Sequence, residues 1–150
     1  MDKGDDLEAR LHMLVASTMG ATAFQRGLGA MHALAHPLGA LYDCHHGLLN
    51  AILMPYVLQA NRAAIERPLS RLGRYLGLAR SDAQGVLEWI LQLRAQIGIP
   101  HSLAEIGLDD SQADRVATMA ELDPSAATNP IAFSREEYRQ LFERALAGSL

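Results

Sequence analysis

Four of the six histidines, His32, His36, His45 and His46, fall in the stretch Gly27 to Asn50, which holds one acidic residue and no lysine or arginine. Imidazoles this dense in an apolar setting need partners. A buried ring nitrogen without a hydrogen bond or a metal costs about 1–3 kcal/mol. His32 and His36 are four residues apart, so an unbroken helix would place them on one face with Cβ atoms about 5–6 Å apart, a chelating arrangement. His46, beyond a turn, can fold back as a third nitrogen donor, and Cys44 can add a thiolate. His45 would point elsewhere. The bland alternative is that these are satisfied core or helix-end histidines. Cys44 is the single cysteine, so a cysteine-rich zinc site is not expected. Ala33, not Glu, follows His32, and there is no Gly-x-Ser-x-Gly, so neither the helix-borne zinc protease motif nor a nucleophile elbow is present.

The elements that must position these side chains read as helices. Asp5 or Asp6 can cap a helix from Leu7, with Leu7, Leu11, Leu14, Val15 and Thr18 at 3-and-4 spacing. The small residues Ala16 to Ala23 predict that its second half is buried on most sides. Gly27-Leu-Gly29 tightens the path, and a second helical segment runs through His32. Pro37 predicts a kink or boundary at His36–Pro37. Asp43 to Gly47 is a turn, followed by a helix from Leu48 to Asn61 that Pro55 kinks or splits. Ile65–Leu78 is a helix with Leu69, Leu72 and Leu76 on one face and Arg67, Arg71 and Arg74 towards water. Asp82–Ile97 follows, with Val86, Leu87, Ile90, Leu91 and Leu93 towards the core and Trp89 beside them. Ser102 caps a short turn, Leu103–Ile106. Asp109 to Ser111 caps a helix to Leu122. Asp123-Pro124 opens a loop through Asn129-Pro130. Ser134 and Glu137 form a capping box that starts a last helix to Ala147. No run alternates as a strand does, apart from a competing reading of Ala51–Leu58. The fold class expected is all-α, a multi-helix bundle-like domain, with residues 1–5 as a disordered or junction segment and 6–150 as one domain.

Composition narrows the function classes. Hydrophobic residues make up 49% and charged residues 20% of 150 residues, enough for one domain with a real core. A net charge of −4 without a basic run argues against a nucleic-acid partner. No apolar run reaches the roughly 18 residues needed to cross a bilayer, so no membrane partner is expected. The start, Met-Asp-Lys-Gly-Asp-Asp, is too acidic for a signal peptide, and a lone cysteine suits a reducing cytoplasm. Gly27-x-Gly29 lacks a third glycine and a preceding strand, so no dinucleotide fingerprint is present.

At this point the residues carry a resemblance. His32-Ala-Leu-Ala-His36-Pro-Leu-Gly-Ala-Leu-Tyr-Asp, then His46-Gly and Asn50-Ala-Ile-Leu-Met-Pro-Tyr-Val-Leu, with Thr128-Asn129-Pro130 before the last helix, resembles the iron-dependent, or group III, alcohol dehydrogenases. The likeness runs from Asp6 to Leu146. It implies the all-helical C-terminal domain of a two-domain oxidoreductase whose N-terminal α/β domain binds NAD or NADP. By resemblance, His32 and His46 are ligands of a divalent metal, iron first and zinc second. His36 is not a ligand but lines the cleft beside the nicotinamide and substrate, where it relays the alcohol proton. The family's other two ligands form an Asp-x-x-x-His pair, a pattern this sequence does not contain. The resemblance therefore implies an isolated chain that is inactive. Its expected partners are a small alcohol or aldehyde in the intact enzyme, and a second copy or a complementary nucleotide-binding domain on its uncovered face. The alternative is a stand-alone helical domain that binds a metal or a partner without catalysis.

Overall fold

The computed structural model describes residues 4–150, so Met1, Asp2 and Lys3 of the expected junction lie outside the described residues. Seven α-helices account for the described chain: α1 (Leu7–Ala23), α2 (Gly29–Tyr42), α3 (His46–Ala60), α4 (Arg62–Tyr75), α5 (Ala83–Gln96), α6 (Ala113–Leu122) and α7 (Arg135–Ala147). Three short 3₁₀ turns, at Phe24–Arg26, Ala104–Ile106 and Pro124–Thr128, link them. No strand occurs among the described residues, and Ala51–Leu58 is helical.

Most helix starts follow from local chemistry. Asp6 caps α1 by accepting the Ala9 amide at 3.0 Å. Asp82 caps α5 through the Gly85 amide at 2.9 Å, and Ser134 and Glu137 form the expected capping box on α7. Each such cap satisfies amides that the helix cannot pair internally. α6 differs from expectation. Asp109 closes a turn on Ser111 instead, and the helix starts at Ala113 without a side-chain cap.

Proline changes less than its chemistry suggests. Pro37 lies inside α2 and Pro55 inside α3, yet both helices continue past them. The predicted boundary at His36–Pro37 and the predicted split at Pro55 are therefore absent. Both prolines are buried, and the packing of their helices outweighs the missing amide and the steric cost of the ring.

The core sits where α2, α3, α6 and α7 meet. Leu34, Leu38, Leu49, Ile52, Leu53, Tyr56, Tyr138 and Phe142 are essentially inaccessible to solvent, and each large apolar side chain so buried contributes about 1.5–3 kcal/mol. α4 and α5 pair with each other and lean on α3. Arg67, Arg71 and Arg74 face water as expected, but Leu72 and Leu76 are also exposed, and Trp89 lies at the surface rather than in the core.

α1 departs furthest from its sequence. None of its residues is buried. Leu7, Leu11, Met13, Leu14, Val15 and Met19 are all exposed. The burial expected for its small-residue second half, Ala16 to Ala23, is therefore absent: every residue there is exposed.

The loop before α7 closes onto the start of α2. Thr128 Oγ1 accepts the Leu28 and Gly29 amides, each at 3.1 Å, and Asn129 Oδ1 accepts the Ala30 amide at 3.0 Å. These are the orphan amides of the α2 N-terminus, capped by side chains about a hundred residues away. Gly27 has φ +99°, and a Cβ there would run into Thr128, so the close approach needs glycine.

Candidate functional site

α2 and α3 form a helical hairpin, and its joint sets the histidines. Asp43 ends α2 in the left-handed region at φ 54°, a conformation that Asp tolerates better than most residues. His45 then caps α3, its Nδ1 accepting the Leu48 amide at 3.3 Å. His45 is thus a helix cap and does not face the other imidazoles. His46 opens α3, and Asn50 follows one turn later.

Three imidazoles gather across the hairpin. The ring centroids of His32 and His46 are 5.2 Å apart, those of His36 and His46 5.5 Å and nearly parallel, and those of His32 and His36 5.9 Å at a steep angle. The carboxamide of Asn50 sorts them. Its Nδ2 lies 2.9 Å from His46 Nε2 and 3.3 Å from His32 Nε2. An amide nitrogen only donates, so in this arrangement both Nε2 atoms accept. Their two lone pairs are thereby aimed at one point. His32 Nδ1 and Asn50 Oδ1 are buried without a partner.

His36 turns another way. Its Nδ1 is 2.8 Å from Asp123 Oδ2. The pair that converges is therefore His32 with His46, not the four-residue pair His32 with His36 that spacing alone favours. Cys44 does not join: its thiol faces the Tyr42 carbonyl at 3.7 Å. Among the described residues, no three His, Cys, Asp or Glu side chains are grouped to hold a metal ion.

The electrostatics follow the geometry. Burial lowers the pKa of His32, the neighbouring His46 and His36 lower it further, and the Leu28 backbone and Asp123 oppose them without reversing the shift. A neutral His32 is the form that can ligate. Burial pushes the Asp123 carboxyl up, but hydrogen bonds from His36 and Ser125 outweigh it, and the group ends below the usual carboxylate value. Burial, then Asp43, raises the Cys44 thiol, which keeps it protonated.

Two imidazoles with convergent Nε2 lone pairs are a fitting donor set for iron or zinc. The orphaned Asn50 Oδ1 marks the same spot as a place where polar groups are short of partners. A catalytic zinc-type site ordinarily draws three protein ligands, however, and this chain brings two. Sequence reading missed three contributors. Asn50 was visible one turn after His46, and Phe24, whose ring meets His32 edge-on at 6.0 Å, lies just before the glycine turn. Asp123 carried only the signal of a loop start before Pro124.

Comparison with known proteins finds relatives for the chain as a whole. A profile described as "Fe-containing alcohol dehydrogenase family, C-terminal" matches residues 1–146. The chain is 37% identical to a 4-hydroxybutyrate dehydrogenase of Cupriavidus necator, covering 95% of this chain and 39% of that protein. It is 35% identical to a 1,3-propanediol dehydrogenase of Citrobacter freundii, covering 95% and 38%. Among solved structures, a 1,3-propanediol oxidoreductase superposes with a TM-score of 0.90 at 33% identity, over 95% of this chain and 39% of that one. An alcohol dehydrogenase from Oenococcus oeni gives 0.87 at 32%, again over 95% and 39%. The chain thus spans about two-fifths of the length of the relatives it matches.

Proposed function

The chain belongs to the iron-containing alcohol dehydrogenase family, whose C-terminal helical part it matches, and from that premise we propose that residues 6–150 form its metal-site domain. His32 and His46 supply two ligands to a divalent metal, iron first and zinc second, through Nε2. His36 lines the cleft beside them and handles the proton of the alcohol. The observation that carries this reading is the convergence of both Nε2 atoms on the Asn50 amide.

In the intact enzyme the bound metal would supply Lewis acidity toward the alcohol or aldehyde oxygen, and NAD or NADP would exchange the hydride. The residues of this chain would hold and orient. Before a metal binds, the Asn50 amide holds both Nε2 atoms toward one point. The ring of Phe24 meets His32 edge-on. The remaining ligands and the nucleotide site would come from an α/β domain, and the 150-residue chain alone is expected to turn over no alcohol. The substrate class proposed is a small alcohol or its aldehyde. Among the described residues no helix is long and apolar enough to cross a membrane, and a cytoplasmic setting is proposed, in keeping with the free Cys44.

A titration with Co²⁺, followed by its visible absorption, tests the ligand assignment. Wild type and His36→Ala are expected to bind one equivalent, while His32→Ala and His46→Ala each lose it. Equal binding by wild type and the His32→Ala/His46→Ala double variant would overturn the assignment.

One observation favours a second role beside the first, partner binding. α1 presents an apolar surface that the described residues leave uncovered, as an interaction helix does. The occupant proposed is the complementary nucleotide-binding domain or, without it, a second copy.

A further inference from the structure

We propose that Asp123 is a positioning residue for His36: it holds the imidazole as the Nδ1–H tautomer, so that Nε2 is left as the proton-accepting nitrogen. This rests on the reading of His36 as the cleft histidine and names the group that sets its chemistry.

The geometry carries the argument. Asp123 Oδ2 receives His36 Nδ1 at 2.8 Å, and Asp123 Oδ1 accepts the Ser125 amide at 2.8 Å. Both carboxylate oxygens are engaged, so the carboxylate cannot rotate away. Its side chain is 13% exposed and that of His36 43%. The fixed member is thus sunk in the protein and the working member stands at the surface. An ionised carboxylate only accepts hydrogen bonds, so the proton between the two must sit on Nδ1. Among the described residues no group bonds His36 Nε2. The ring is also braced from the side, stacked on His46 at 13° between planes.

The two residues are 87 positions apart and come from different elements. His36 is on α2, and Asp123 sits at the junction of α6 with the 3₁₀ turn that leads to Thr128 and Asn129. The same segment that caps the α2 N-terminus therefore also fixes the histidine two turns into that helix. With Nδ1–H committed to Asp123, the Nε2 lone pair is the open acceptor of the ring. Asp–His pairing of this kind orients an imidazole and fixes its tautomer wherever proton transfer depends on one ring nitrogen.

Long-range ¹⁵N–¹H correlation on the full chain, labelled at histidine, tests this without metal or substrate. Wild-type His36 is expected to show a pyrrole-type Nδ1 and a pyridine-type Nε2. Asp123→Ala is expected to invert that pattern, towards the Nε2–H form that free imidazole side chains prefer. Asp123→Asn is expected to retain it, because the carboxamide oxygen still accepts. An Nε2–H tautomer in the wild type, or an unchanged pattern in a folded Asp123→Ala, would overturn the proposal. The wild-type spectrum and Asp123→Asn decide the matter if Asp123→Ala does not fold. Failure of Co²⁺ binding alone would sink the ligand assignment and leave the tautomer result standing.

Discussion

The side chains of Asn61 and Asn129 exchange two hydrogen bonds, Asn61 Nδ2 to Asn129 Oδ1 at 3.0 Å and Asn129 Nδ2 to Asn61 Oδ1 at 2.8 Å. Asn61 sits at the C-cap of α3 and is 3% exposed, while Asn129 also caps the Ala30 amide of α2. One amide pair thus ties the end of α3, the start of α2 and the loop before α7.

Removing Asn129 would leave the Asn61 carboxamide and the Ala30 amide without partners. Asn129→Ala is expected to destabilise the fold by about 2–3 kcal/mol, the cost of orphaned buried polar groups. Urea unfolding would measure it. A double-mutant cycle with Asn61→Ala should show strong coupling, because the second substitution removes a group the first has already stranded.

Gly27 takes φ +99° directly against Thr128. Gly27→Ala meets both a strained backbone and a steric conflict, and should cost about 2 kcal/mol or more. Thr128→Ser would relieve only part of that loss, since it removes one methyl group and leaves φ unchanged. Thermal melts of the single and double variants compare the two contributions.

The Asn50 amide occupies the lone pairs of His32 and His46. A metal ion must displace it. Asn50→Ala is therefore expected to tighten Zn²⁺ binding about tenfold, equivalent to about 1.4 kcal/mol. Competition with a chromophoric chelator reads the change. Weaker binding would mean that Asn50 orients the imidazoles more than it competes.

Tyr138 is fully buried and its hydroxyl has no partner. Burial, with Asp123 and Glu121 nearby, pushes its pKa up to about 12. The folded value lies above the unfolded value of about 10, so the stability this group contributes is present below pH 10 and lost as pH rises through 12. Tyr138→Phe should flatten the alkaline arm of the stability profile. At pH 7 it should be neutral or stabilising by about 1 kcal/mol, since it deletes an unsatisfied polar atom. Loss of stability at pH 7 would show that the hydroxyl is satisfied by bound water.

Leu11 and Leu14 stand 58% and 67% exposed on α1. Leu11→Glu with Leu14→Glu is expected to abolish concentration-dependent association while leaving the unfolding midpoint of the α2–α7 core unchanged. Sedimentation velocity across a range of concentrations checks the first point and denaturant melts the second. A wild-type chain that stays monomeric at every concentration would remove the case for a docking face.

Much of the scaffold was legible residue by residue. Asp6, Asp82, Ser134 and Glu137 cap the helices they precede because a cap needs only a short oxygen-bearing side chain within a few residues of free amides. Of the kink or break expected at Pro37 and at Pro55, the break is absent, because the burial of those helices outweighs the local preference. Trp89 and the small-residue half of α1 misled. Their composition suits an interior, but what lies beside them is set by the rest of the fold.

The sequence alone determined the all-helical class, most helix limits, and the histidine stretch whose pattern resembles one enzyme family. Those features rest on spacing and on neighbours within a turn or two. The resemblance paired His32 with His46, and only the tertiary structure decided on what these imidazoles converge and what holds His36. Spacing favoured His32 with His36, whereas the hairpin brings His46 to His32 and the loop after α6 brings Asp123 to His36. It also decided that Thr128 and Asn129 cap a helix a hundred residues earlier. Contacts between distant residues leave no periodic trace in the chain. They arise when buried apolar faces set the elements side by side and polar side chains then find the partners that burial makes obligatory.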